Sequence, residues 1–255
     1  MVAVISLARH TFVDALRERA FLVLGLFAFV MLAASRLLNP LALGEARRVT
    51  LDLGLGCVAL FGFLLIVLLG TRMVHKEIER KTILVLLAKP IHRAEFILGK
   101  YLGLIAILAV SLIGMVVALA GVLLLSGYAF DTNLIVAGYY AFLELAVVAA
   151  LAMLLTAFTS PVLSTFFLLG LYVVGHLSTS LLDMASMLPN PGTVKLLTAV
   201  FHLVPRLDLF SYTLEVVHGL PIDAGQILLA TAYTATYATG ALLLALVVFR
   251  RREFS

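Results

Sequence analysis

Apolar residues run almost without interruption through six stretches of the chain, at about 20–38, 53–71, 101–125, 134–158, 162–182 and 227–249. A helix needs roughly 20 consecutive apolar residues to cross the hydrocarbon core of a bilayer, and each stretch meets that length. Alternating strand patterns are absent, and the runs are twice as long as a barrel strand. The expected fold class is therefore an all-α polytopic membrane protein with six transmembrane helices. Ahead of the first stretch, residues 1–19 have helical spacing. Ile5, Phe12 and Leu16 fall on one face, and His10, Asp14, Arg17 and Glu18 on the other. That pattern predicts an amphipathic helix lying in the inner interface, apolar side down.

The connections between the stretches are uneven. Gly44–Asp52 reads as a short outer loop, Gly127–Asn133 as a shorter one, and Thr159–Pro161 as a tight inner turn. The long connection is 183–226, where "VKLLTAVFHLV" and "LFSYTLEVVHG" have the look of short amphipathic or re-entrant helices. Gly99 and Gly103 in "GKYLG", and the Ala- and Thr-rich "LATAYTATYATGA" of the last stretch, mark places where membrane helices approach closely. No second soluble domain is visible, so 1–255 reads as a single transmembrane domain.

Composition agrees with this pattern: 63% of the 255 residues are hydrophobic and 13% charged, against about 45–50% and about 25% in soluble domains. With the N-terminus taken as cytoplasmic, 13 of the 18 Lys and Arg residues fall on the inner side and both termini lie inside. The basic balance then reflects topology and anionic lipid, and no nucleic-acid partner is expected. The mixed charge before the first stretch argues against a cleaved signal peptide. The single Cys57 lies within the second stretch.

The remaining charge is concentrated in "KEIERKTILVLLAKPIHRAEFILGK", residues 76–100, with nine charged side chains in 25 residues. Its "TILVLLA" is too short to span a bilayer and too apolar for a free loop. Pro90 lacks a backbone donor and disfavours helix at Lys89. The segment therefore predicts a short amphipathic helix ending near Ala88, and a new helix starting near His92 and running into the third span. Glu95 is favourable in that helix's first turn. The apolar face of the short helix must be covered by lipid or by another protein.

Enzyme chemistry finds little footing. His-Glu-xx-His and Gly-x-Ser-x-Gly are absent. "AEFILGKY" fails as a phosphate loop, because Ala94 and Tyr101 stand where Gly and Ser or Thr belong. The six His and seven Met residues are dispersed, and no metal site is expected. Glu144 is the exception. A carboxylate near the middle of the fourth span costs about 2.5–3.5 kcal/mol on insertion scales, which the span's Leu, Ile, Val and Phe residues offset. It should face the bundle interior, with His176, Tyr139 and Tyr140 as candidate partners. Glu144 and His176 are thus candidates for a substrate path or gate; the plainer reading is a hydrogen-bonded contact between helices.

The stretch "EIERKTILVLLAKPIHRAEFILGKYLG" resembles the cytoplasmic signature of ABC-2 type transporter permeases. Members show Glu-x-Glu-x-Gly-Thr, Leu-Leu, Pro-x-x-Arg and Leu-Gly-Lys. Here these are Glu77, Glu79, Thr82, Leu86, Leu87, Pro90, Arg93, Leu98, Gly99 and Lys100, with Lys81 in place of the usual Gly. "ARHTFVDALRERAF" and "VPRLDLF" also resemble the family, and within it the branch that contains the permease for nitrous oxide reductase maturation. That branch often has Asn where Arg206 stands.

The resemblance implies an ABC-2 (type V exporter-like) permease in a prokaryotic plasma (inner) membrane, paired with a second permease subunit as a homodimer or heterodimer. Such a chain is not an enzyme and carries no cofactor; ATP and Mg belong to a separate cytoplasmic ATP-binding cassette ATPase. Residues 76–95 would be the coupling segment, with Glu77, Glu79, Arg80, Thr82, Leu84, Leu87, Pro90 and Arg93 engaging that ATPase. Residues 183–226 are a candidate surface for an extracytoplasmic partner. Two other classes stand beside this reading: an ATP-independent carrier or channel using Glu144, and a membrane scaffold recruiting an extracytoplasmic partner.

Overall fold

The computed structural model describes residues 2–16, 21–38, 45–79, 93–129, 131–178, 191–211, 216–217 and 223–251. Among these, every regular element is helical: α1 (Val2–Ala15), α2 (Phe21–Leu38), α3 (Ala46–Glu79), α4 (Arg93–Leu125), α5 (Asn133–Phe158), α6 (Pro161–His176), α7 (Pro191–Leu203), a 3-10 turn (Leu207–Phe210) and α8 (Ala224–Arg251). Four helices are long and apolar enough to cross a membrane, over Ala46–Thr71, Ala94–Leu125, Asn133–Phe158 and Gly225–Phe249. The first and fifth expected spans correspond to shorter apolar helices, Leu22–Ala34 within α2 and Pro161–His176.

α5 is the axis of the bundle. From Leu143 to Met153 every side chain is buried, as expected for a helix that is apolar on all sides. It packs against α3, α4, α6 and α8, while α2 lies on α3 and α4. The seam with α8 is made of small residues: Ala230, Thr234, Ala238, Ala241 and Ala245 are buried at four- or three-residue spacing. Lipid is as apolar as a leucine side chain, so helices in a membrane associate through close packing and not through escape from water. The Ala- and Thr-rich stretch thus does what its composition suggested.

Two connections follow directly from local chemistry. Between α4 and α5, Gly127 takes φ +84, and the Tyr128 and Gly127 amides donate to the carbonyls of Leu123 and Leu124. This glycine cap closes α4. Between α5 and α6, Thr159 and Ser160 make the turn, the Ser160 hydroxyl accepts from the Leu163 amide at 3.4 Å, and Pro161 fills the first helical position.

Two expectations need correction. Most of Gly44–Asp52 is not a loop: α3 begins at Ala46, because Leu51 is fully buried and Arg47 is held by Asp131 across the bundle at 2.7 Å. The face assigned to the N-terminal helix is also shifted. Ile5 is 66% exposed, whereas Thr11 and Ala15 are buried. α1 lies on α4, with Leu7 against Gly99 and Thr11 against Gly103; Phe12 and Leu16 still pack at its edge.

Candidate functional site

Two regions drew attention in the sequence, and they lie at different levels of the bundle. The first is the charged segment. α3 continues as helix beyond its apolar part, from Thr71 to Glu79, so about 12 Å of helix extends past the apolar stretch. α4 starts at Arg93 and packs against α3. This end, rich in Lys and Arg, is called the basic end below. Glu77 and Glu79 belong to the last turns of α3 and Arg93 opens α4. Arg80, Thr82, Leu84, Leu87 and Pro90 lie outside the described residues. The helix expected near His92 does begin at Arg93, with Glu95 in its first turn.

The second region is built around Glu144. Counting from the α5–α6 turn, Glu144 is 14 residues back and His176 is 15 residues beyond Pro161, so both stand ~21–22 Å from that turn along antiparallel helices. The expected matching depth is realised: His176 Nε2 is 3.4 Å from Glu144 Oε1. The contact is close, yet Oε1 has no hydrogen bond despite its burial. The Glu144 side chain is 6% exposed and that of His176 33%. The exposed part of the pair is thus on its α6 side.

Tyr172 completes the group, and the sequence reading missed it. Its carbonyl lies 3.1 Å from His176 Nδ1. A carbonyl can only accept, so Nδ1 carries the hydrogen and Nε2 faces Glu144. Its hydroxyl is in hydrogen-bonding reach of the Glu144 carboxyl. Its ring is held between Phe63 of α3, with centroids 4.3 Å apart, and the His176 ring at 4.5 Å. The four-residue spacing of Tyr172 and His176 was the available signal, because it places both on one helical face. Tyr139, named beforehand as a partner, instead pairs its hydroxyl with Thr231 of α8 at 2.9 Å.

The chemistry of the arrangement is specific. With Nδ1–H engaged, Nε2 and Oε1 either face each other as two acceptors or share one proton. The pair therefore holds a proton or accepts hydrogen bonds from an incoming donor. Among the described residues, no three His, Cys, Asp or Glu side chains converge in a metal-binding group.

Beyond His176, away from the basic end, a second polar group caps the bundle. Ser178 Oγ donates to Asp208 Oδ1 at 2.6 Å, Arg206 Nη2 lies 3.5 Å from Asp208 Oδ2, and the Arg206 amide donates to the Tyr233 hydroxyl of α8 at 2.9 Å. Leu207 is fully buried beside Gly175, where a β-carbon would lie 2.8 Å from the Leu207 Cγ.

A family model described as ABC-2 family transporter protein matches residues 5–254. No curated protein matches the chain.

Proposed function

The chain belongs to the ABC-2 family of transporter proteins, and on that premise we propose that it works as an exporter permease driven by a separate cytoplasmic cassette ATPase. The family is a family of membrane permeases of ATP-binding cassette transporters, generally non-catalytic. The observation that carries the reading is the match over nearly the whole chain. The paired α3 and α4 support it: their polar ends bracket residues 80–92 at the basic end of the bundle.

In this proposal 76–95 docks on the ATPase. The residues that engage it are Glu77, Glu79, Arg80, Thr82, Leu84, Leu87, Pro90 and Arg93, and Pro90 passes the movement to α4. The basic end is cytoplasmic, as the asymmetry of Lys and Arg favours, and both termini lie on that side of a prokaryotic plasma membrane. All six apolar helices cross the bilayer, two permease subunits pair, and 183–226 faces the extracytoplasmic side. ATP and Mg stay on the ATPase. Within the family, the resemblance of "ARHTFVDALRERAF" and "VPRLDLF" supports a reading of the chain as related to the branch that contains the permease for nitrous oxide reductase maturation. Glu144 and His176 line the path or its gate.

The test is co-purification of the tagged chain with the cassette ATPase encoded beside it, followed by ATPase assays in lipid vesicles with and without the chain. A stable complex with stimulated turnover is expected. A chain that purifies alone, and catalyses ion or solute flux in vesicles without ATP, overturns the reading in favour of a secondary carrier.

A further inference from the structure

The strap formed by residues 204–210 crosses the far end of the bundle. Its 3-10 turn packs against α5 and α6, and Phe210 faces the Tyr233 ring of α8 with centroids 6.1 Å apart. It meets the end of α6 at Gly175, next to His176, and the chain just past α6 at Ser178, two residues after His176. Anything approaching Glu144 and His176 along α6 from that end meets the strap first.

The way the strap is held sets it apart from the helical packing around it. Leu207 sits in a notch that exists only because residue 175 has no side chain; a β-carbon there would also lie 2.9 Å from the Pro205 carbonyl oxygen. Two of its polar grips reach other elements: Ser178 to Asp208, and the Arg206 amide to Tyr233. On the strap, the Arg206 Nε is buried without a hydrogen-bond partner, and in the pair Glu144 Oε1 is in the same condition. Arg206 otherwise rests its guanidinium over the Phe201 ring at 5.3 Å. Although the Arg206 guanidinium is 40% exposed and its Nη2 faces Asp208, a donor atom and an acceptor atom that are each buried without a hydrogen bond raise the free energy of the closed arrangement. Water reaching either atom relieves that penalty.

We propose that residues 204–210 form a movable cover over the Glu144–His176 pair, latched by the Ser178–Asp208 hydrogen bond and by the Tyr233 hydroxyl on the Arg206 amide. Lifting the cover opens the pair to the far side of the membrane and hydrates both orphaned atoms. Setting it back seats Leu207 on Gly175 and closes the bundle. The proposal rests on reading the pair as part of the path. The motion itself needs neither ATPase nor substrate, so its test stands apart from the ATPase assay.

The experiment measures the reaction of a charged, water-soluble maleimide with single cysteines in the full chain, purified into lipid nanodiscs in a Cys57→Ser background. Val204→Cys is near-isosteric and lies buried on the strap itself; Lys195→Cys on α7 is exposed and serves as reference. Val204→Cys is expected to react at least about tenfold more slowly than Lys195→Cys. Adding Ser178→Ala or, separately, Tyr233→Phe is expected to speed it about tenfold, the shift that loss of one strong hydrogen bond produces. Ser178→Thr, which keeps the hydroxyl, leaves it slow. In a chain whose only cysteine is Cys57, reaction with the permeant N-ethylmaleimide is unchanged by either substitution. Equal rates at 204 and 195, or no acceleration by either substitution, overturn the proposal. Acceleration at Cys57 also overturns it, because then the bundle and not the cover has opened.

Discussion

Gly103 of α4 and Thr11 of α1 approach so closely that a β-carbon at 103 would sit 2.6 Å from the Thr11 Cβ and 2.8 Å from the Ala8 carbonyl oxygen. The contact repeats one turn earlier, where Gly99 receives Leu7. α1 is therefore seated on the helix that emerges directly from the charged segment, and its seat is the absence of two side chains. Gly103→Leu is expected to lift α1 and destabilise the protein by about 1–3 kcal/mol, the usual cost of overpacking a tight contact. A lowered Tm in detergent, together with faster proteolysis within residues 2–16, checks this. An unchanged Tm with α1 still protected would show that α1 is held by other contacts.

A second prediction concerns the far ends of α3 and α5. Asp131 accepts from Arg47 Nη2 at 2.7 Å and, through its other oxygen, from the Asn133 amide at 3.0 Å. Arg47→Ala removes only the partly exposed ion pair and is expected to cost under about 1 kcal/mol. Asp131→Ala also strips an acceptor from the start of α5 and is expected to cost about 1–2 kcal/mol. Thermal unfolding of both variants gives the order. A larger loss for Arg47→Ala would show that the ion pair, and not the helix start, is what Asp131 stabilises.

The helices themselves were legible, because long apolar runs have few structural options in lipid. What decides how they pack was only partly legible. The face of α1 could not be read from α1, where Ile5, Phe12 and Leu16 form as good a stripe as Leu7, Thr11 and Ala15. The choice is made by Gly99 and Gly103 on the partner, more than 80 residues away in sequence. Arg47, Arg48 and Asp52 read as loop because they are charged, yet a membrane helix runs past the hydrocarbon into the interface, where charge is tolerated. Glu144 and His176 were found because a charge deep in an apolar run is conspicuous and their depths match by simple counting. Tyr172 escaped because a tyrosine in such a run is ordinary; only its four-residue offset from His176 marks it. The Ser178–Asp208 bond joins positions 30 residues apart and left no local pattern.

The third prediction addresses the proposed docking segment. Leu84→Asp and Leu87→Asp place a carboxylate on the apolar face of "TILVLLA". Burying an unpaired charge in a protein groove costs several kcal/mol, so each variant is expected to lose ATPase stimulation while the chain accumulates normally. Assembly is read by co-purification and coupling by stimulated ATP turnover. Complex formation and turnover equal to the unsubstituted chain would remove the coupling role from these two leucines.

The last prediction separates path from packing at Glu144. His176 Nε2 and Glu144 Oε1 lie 3.4 Å apart, with Tyr172 fixing the imidazole from behind. If the pair acts only as a contact between α5 and α6, Glu144→Gln keeps a polar side chain of the same length, and the Tm and the stimulated ATPase rate stay together. If the carboxylate serves the path, Glu144→Gln folds and assembles normally but loses substrate-stimulated turnover, and Glu144→Asp restores part of it. A double-mutant cycle adds the stability side. Contacting residues in one hydrogen-bonded group couple by about 0.5–3 kcal/mol, so Glu144→Gln and His176→Gln together should cost less than the sum of the two alone. Tyr172→Phe keeps the carbonyl that orients His176 and removes only the hydroxyl near the carboxyl, so it should leave that coupling largely intact. Additive losses across the cycle would mean that the 3.4 Å approach carries no interaction, and normal turnover in Glu144→Gln would remove the carboxylate's charge from the path.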